Sequence, residues 1–239
     1  MGYFHEDIDS PHALLEIAAD RNAELAPQNI FGYAPALGDT FQTCWNGTGT
    51  YAFPGSAVQM SVVSTSASDT MAILISGLDA DYQSLTEIIL VNGTTPNTTV
   101  NAFFRINSAT ILSGSNVGDI SISNASVVYG FIGAGIGTTQ ACLFTVPAEH
   151  SLYIFRISLT SGTVNPNKYI TYRNRVDSST GRTLRVATST FQSDMQTFDR
   201  QIPFRVTPKS DFQFEAKSSS GTNELSIFVE ALLMKDKYA

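Results

Sequence analysis

The chain has 239 residues, enough to bury roughly 70% of its unfolded surface as a single all-β domain, and only 15% of them are charged against a typical ~25%. A net charge of −7 excludes the basic footprint of a nucleic-acid or anionic-membrane binder, and no apolar run reaches the ~20 residues of a membrane helix. The N-terminus carries neither the basic nor the apolar region of a signal peptide, so the expectation is a soluble protein made in the cytosol.

Residues 1–39 open on a helix-start signal, Ser10 as N-cap and Pro11 at the first helical position. The spacing predicts three turns from His12 to about Asn22, with Leu14, Leu15, Ile17 and Ala18 on or near one face. Tyr3, Phe4, Ile8, Ile30, Phe31 and Tyr33, punctuated by Pro27 and Pro35, make the segment too apolar for a solvated tail. An isolated three-turn helix is marginal in water, so its order must come from docking. The segment therefore reads as an arm, distinct from residues 40–239, whose Tyr3, Phe4, Ile8, Leu14, Leu15, Ile30, Phe31 and Tyr33 contact a partner.

Beyond residue 40 the pattern changes to a period of two. Val58, Met60 and Val62 alternate with polar neighbours, as do Phe212, Phe214 and Ala216, and Tyr153, Phe155, Ile157 and Leu159 form a further stripe. Met71 to Ile75 and Val127 to Ile132 are apolar on both faces; so is the run from Leu225 to Leu233, where Phe228 and Leu232 intervene and Met234 follows, which marks central strands or contacts. Turn formers separate the runs at Asn46-Gly47, Asn92-Gly93, Gly114 to Asn116, Asn165-Pro166, Ser178 to Gly181 and Ser218 to Gly221. About a dozen strands at ~8–12-residue spacing indicate a β-sandwich or barrel.

Charge is distributed unevenly. Residues 1–104 hold eleven acids and one base, whereas the rest hold ten acids and thirteen bases. Lys168, Arg173, Arg175, Arg182 and Arg185 flank the Ser178 to Gly181 turn, opposed only by Asp177. This is either uneven solvated surface or a projecting hairpin whose basic rim meets an acidic segment of a partner.

Chemistry-bearing residues are sparse. His5, His12 and His150 share no metal-ligand spacing, and Asp79 and Asp81 lack the downstream Gly and Glu of an EF-hand loop, so a turn explains them better. Gly133, Gly135 and Gly137 are wrongly spaced for a phosphate loop. Glu87 interrupts an apolar strand, either as an edge guard or as one carboxylate of a glycosidase pair. Trp45 with Tyr51 and Phe53 either packs or stacks on a sugar, and Cys44 and Cys142 read as buried small hydrophobes rather than a disulfide. No cofactor site and no catalytic cluster emerges.

A resemblance is carried by Cys44-Trp45-Asn46-Gly47, Tyr51-Ala52-Phe53-Pro54, Ser64 to Asp69, Gly77 to Tyr82, Glu87 to Thr94, Phe103 to Ile106, Val117 to Ile122, Val146-Pro147, Lys209 to Phe212 and Glu215 to Ser218. Across most of residues 40–235 the chain is similar to virion structural proteins of tailed bacteriophages, especially marine and cyanobacterial ones. The resemblance implies a jelly-roll β-sandwich without enzymatic residues, used as a capsid decoration (cement) protein or a tail component. The expectation is thus an all-β, jelly-roll-like antiparallel sandwich at 40–239 behind an arm with one short helix. Its partners would be the major capsid protein and itself, as a homotrimer on the capsid surface of the virion, with no nucleic acid and no membrane. The alternative is a tail or fibre module that binds a host glycan through Trp45 and nearby aromatics.

Overall fold

The computed structural model describes residues 24–47, 50–162, 169–192 and 195–236 together with Leu15, Ala18 and Ala19; for 185–187 only the backbone is described. Among the described residues the regular secondary structure is almost all strand, arranged in several antiparallel sheets.

Four long strands form the first sheet, in the order β1 (Leu25–Leu37), β16 (Asn223–Lys235), β11 (His150–Ser161), β14 (Met195–Val206). The facing sheet runs β10 (Leu143–Thr145), β15 (Ser210–Ser218), β12 (Ile170–Ser178), β13 (Thr183–Phe191). The short β2 (Gln42–Thr43) also pairs with β15, at Ala216 and Glu215, just beyond the stretch from Gln213 to Asp211 that β10 occupies. β2 and β10 therefore fill one strand position in two pieces. Counting them as the second strand, eight strands in chain order wind 1-8-3-6 in one sheet and 2-7-4-5 in the other, which is a jelly roll.

Inward residues follow the period of two: Ile30 and Ala34 of β1, Leu225, Ile227 and Val229 of β16, Leu152, Ile154, Ile157 and Leu159 of β11, and Phe212, Phe214 and Ala216 of β15 form one core. Gly32 lies on the inner face of β1, where an added Cβ would come within 2.5 Å of the Cys44 carbonyl oxygen and of the Cys142 Cβ. Only glycine permits that approach.

The gap between β2 and β10 holds a second sandwich. Its sheets are β6 (Asn97–Phe103), β3 (Val58–Ser64), β8 (Ile120–Asn124), β9 (Val127–Ile132) and β5 (Ser84–Leu90), β4 (Ala72–Leu78), β7 (Arg105–Ile111), each in that order. Met60, Val62, Ile73, Ile75, Phe103, Ile120, Ile122 and Ile132 make its separate core. A small cluster of Trp45, Tyr51 and Leu143 lies where the chain leaves and re-enters the jelly roll.

Several expectations change here. The division at residue 39 does not follow the hydrogen bonding, because residues 25–37 are the first jelly-roll strand, in register with β16 from Leu25–Met234 to Ala34–Leu225. Pro27 and Pro35 conceal it in the sequence, yet both are tolerated because β1 is an edge strand. The single sandwich expected over 40–239 is two sandwiches, one interrupting the other. Of the expected helix, Leu15 and Ala18 are helical, with the Ala19 amide donating to the Leu15 carbonyl at 2.9 Å; its other residues lie outside those described. In β11 the expected stripe of Tyr153, Phe155, Ile157 and Leu159 breaks at a bulge between Ile154 and Arg156, which turns Phe155 outward. The second face of β15, expected to be wet, is also buried at Asp211, Gln213 and Glu215.

Candidate interaction surface

Of the expected arm contacts, Tyr3, Phe4, Ile8 and Leu14 lie outside the described residues and Leu15 is exposed. Ile30 faces inward into the jelly-roll core, whereas Phe31 points outward. Tyr33 is half-buried, and burial together with the neighbouring Glu224 carboxylate raises its hydroxyl pKa. The three residues at the C-terminal end of the expected arm thus belong to strand β1.

The basic hairpin exists as β12 and β13, but much of its charge is already answered. Glu215, buried on the neighbouring β15, accepts from Arg173 Nε and lies 3.4 Å from Arg175 Nη1. Arg175 Nε is 2.8 Å from Asp177, and Arg173 also stacks 4.0 Å above the Phe41 ring. Arg182 is exposed at the hairpin turn, the Arg185 backbone pairs opposite Arg175, and Lys168 lies outside the described residues. Sequence order hid Glu215, because it is forty residues from Arg175 along the chain and adjacent only through the β12–β15 pairing.

The residues with catalytic or ligand-binding readings serve the scaffold. Glu87 accepts from the Val100 amide at 2.8 Å, the Asn101 amide at 2.9 Å and the Asn101 side chain at 2.9 Å, clipping edge strand β5 to edge strand β6. Trp45 is buried and edge-on to Tyr51, with ring centroids 5.2 Å apart, so it presents no platform to a sugar. Asp79 Oδ1 accepts from the Asp81 and Gln83 amides at 2.9 Å each, closing an Asx turn. The glycine loop closes through Gly135 N to Asn116 O at 2.9 Å and Ile136 N to Gly133 O at 3.1 Å. Cys44 and Cys142 are free, buried and joined by a 2.8 Å backbone bond from Cys142 N to Cys44 O; burial raises both thiol pKa values. No group of three His, Cys, Asp or Glu stands at ligating range among the described residues, and no helix among them is long and apolar enough to cross a membrane.

A buried ion pair joins the two sandwiches, and no local motif announces it. Arg105, opening β7 of the inserted sandwich, donates from Nε and Nη2 to the two carboxylate oxygens of Asp211 on β15 of the jelly roll, at 2.8 and 2.9 Å. Its Nη1 donates to the Pro54 and Phe104 carbonyls at 3.0 and 2.8 Å, and the guanidinium lies 3.9 Å from the Phe104 ring centroid. Thr145 adds a 2.6 Å bond to Asp211. Such a bidentate, fully hydrogen-bonded pair satisfies both buried charges. Asn107 reinforces the junction by exchanging bonds with the Thr145 amide at 2.8 Å and carbonyl at 3.0 Å.

Beside this junction lies a cleft of about 190 Å³ between β1, the start of β10 and the insertion. Its lining runs from Gln28 to Phe31, through Asn107 and Ser108, to Thr138, Thr139, Ala141, Leu143 and Phe144, with no charged side chain.

No protein-family model matches the chain, and no curated protein matches it in sequence. Among solved structures it is similar to that of the infectious bursal disease virus Gt strain, at 12% identity over 89% of this chain and 73% of that one, with a TM-score of 0.25. The infectious bursal disease virus VP2 subviral particle gives 13% identity over 90% and 77%, TM-score 0.21. At such scores the superpositions carry no conclusion.

Proposed function

We propose that the chain is a structural protein of a virion: a capsid decoration protein that binds the outer surface, contacts the major capsid protein and assembles as a homotrimer. The observation that carries this reading is the winding of the body, 1-8-3-6 against 2-7-4-5, an architecture used by viral capsid and lectin domains. A further feature supports it. Glu87, weighed as a glycosidase carboxylate, and Asp79, weighed as part of a calcium loop, are held by backbone amides, and Trp45, weighed as a sugar platform, is packed inside. The glycan-binding alternative loses its platform with Trp45 inside.

The test is to mix purified protein with undecorated capsids, then measure bound protein and capsid melting and locate it by electron microscopy. Saturable binding in sets of three and a higher melting temperature are expected, since a ligand of the assembled state stabilises it. Capsids that neither bind nor gain stability overturn the decoration role. Density for the chain within the shell itself would replace decoration by shell building.

A further inference from the structure

We propose that Cys44 and Cys142 are a conditional crosslink: in an oxidising medium the two thiols join as a disulfide that ties the neck of the insertion, whereas in a reducing one they stay free. This goes beyond the virion reading and does not depend on it.

The chain leaves and re-enters the jelly roll at a single rung of β15. β2 stops with Thr43 opposite Glu215, and β10 resumes with Leu143 opposite Gln213, so Phe214 stands between them. Its carbonyl accepts from the Cys44 amide and its amide donates to the Cys142 carbonyl, each at 2.9 Å. The two cysteines therefore meet on that rung. They are also tied to each other: Cys142 N donates to Cys44 O at 2.8 Å, Asn46 N donates to Gln140 O at 3.1 Å, and Trp45 and Ala141 form an antiparallel bridge between these bonds.

That short ladder sets the separation of the thiols. Residues directly opposite in an antiparallel pair have Cα atoms about 4.5–5.5 Å apart, inside the roughly 4.4–6.8 Å that a disulfide spans. Side chains alternate between faces along each segment. Trp45 and Ala141 turn into the junction cluster, so Cys44 and Cys142 both turn the other way, into the jelly-roll core, where each is fully buried. After burial itself, the neighbouring Cys44 raises the Cys142 thiol pKa, as expected of two thiols within electrostatic range. The Cys44 thiol makes only a long bond, 3.5 Å, to the Leu225 carbonyl, so little hydrogen bonding is lost when its proton leaves.

The oxidant is a small disulfide such as oxidised glutathione. One cysteine thiolate attacks it, forming a mixed disulfide and releasing a glutathione thiolate; the second cysteine thiolate then attacks the protein-side sulfur, forming the Cys44–Cys142 bond and releasing the other. The two protons lost by the protein thiols end on the two glutathione thiols. Burial keeps both cysteines protonated and out of reach in the closed protein, so exchange proceeds while the neck is open, during folding or local opening. Once made, the bridge closes a loop of about 100 residues that contains the whole insertion, a length at which a crosslink removes much entropy from the unfolded chain. A reducing cytosol holds the pair as thiols, and an oxidising medium favours the bridge.

The experiment expresses the full chain in bacterial strains with a reducing and with an oxidising cytosol, so that the natural chain folds in both, and incubates the reduced product with oxidised glutathione near its melting temperature. After blocking with iodoacetamide, intact mass and a non-reducing gel read the product, and thermal melts compare the two forms. The oxidised sample is expected to be a monomer about 2 Da lighter than the unblocked reduced chain, with neither cysteine alkylated and with Cys44 and Cys142 mapping to one linked peptide pair. Its melting temperature should lie at least about 5 °C above that of the reduced chain, a difference that dithiothreitol in the melt abolishes. Cys44→Ala and Cys142→Ala should each show neither the mass change nor the shift. Two alkylatable thiols after both oxidising treatments, glutathione adducts alone, or a disulfide-linked dimer overturns the proposal, as does a bridged monomer that melts no higher than the reduced one.

Discussion

Asp69 is a carboxylate that no solvent reaches, held by the Ser64 hydroxyl at 2.5 Å and the amides of Val117 and Gly118 at 2.8 and 3.0 Å. Burial alone would raise its pKa, but these three donors outweigh it, so the group titrates below its ordinary 3.8. A carboxyl pKa depressed in the folded state contributes stability that is present above the unfolded value and is lost as pH falls through the folded one. Asp69→Asn is therefore expected to lower stability at pH 7 by about 1.5–3 kcal/mol, the range for hydrogen bonds to a charged group. The gap from the natural chain should narrow as pH drops below 3.8. Urea titrations of both proteins at several pH values measure it, and a gap independent of pH would show that the charge is not the cause.

At the level of elements, the strand stripes of β3, β15 and β16 were legible because one face of each enters a core and the period of two records that directly. Three features were not. β1 was hidden by two prolines that only an edge strand accepts, and the β11 bulge inserts a residue that no alternation announces. The split of the second strand into β2 and β10, two pieces about 100 residues apart along the chain, depends on their shared pairing with the distant β15, beyond any local pattern; the same remoteness hid Glu215 and Asp211 as the partners of Arg173 and Arg105. Placing β1 in the first sheet leads to a prediction about truncation. Removing residues 1–23 leaves all jelly-roll strands in place, whereas removing 1–39 exposes the edge of β16 and empties the positions of Ile30, Ala34 and Leu37. The shorter deletion is expected to retain a cooperative melt and the longer one to be insoluble or to bind a hydrophobic dye. Equal behaviour of the two truncations would refute the assignment of β1 to the core.

On the scale of the whole molecule, two sandwiches with separate cores could unfold separately, and what couples them is a small set of contacts. The insertion is tethered at both ends, by β2 and β10, and clamped by Arg105 on Asp211, Asn107 on Thr145 and the Tyr82 carbonyl accepting from the Ala148 amide at 2.8 Å. Arg105 dominates, because deleting it strands Asp211 in a buried site with only the Thr145 hydroxyl. Breaking one partner of such a pair costs about 3–5 kcal/mol, whereas replacing both by apolar groups is frequently neutral. Trp45, the single tryptophan, sits in the junction cluster and reports on this contact by fluorescence, while circular dichroism reports on all the strands. In the natural chain the two signals should melt together. In Arg105→Met the fluorescence transition should move to lower denaturant and separate from the dichroism, and Arg105→Met with Asp211→Leu should bring them back toward coincidence. Coincident transitions in the single variant, shifted by less than about 1 kcal/mol, would mean that the tethers and the remaining contacts couple the sandwiches without the ion pair.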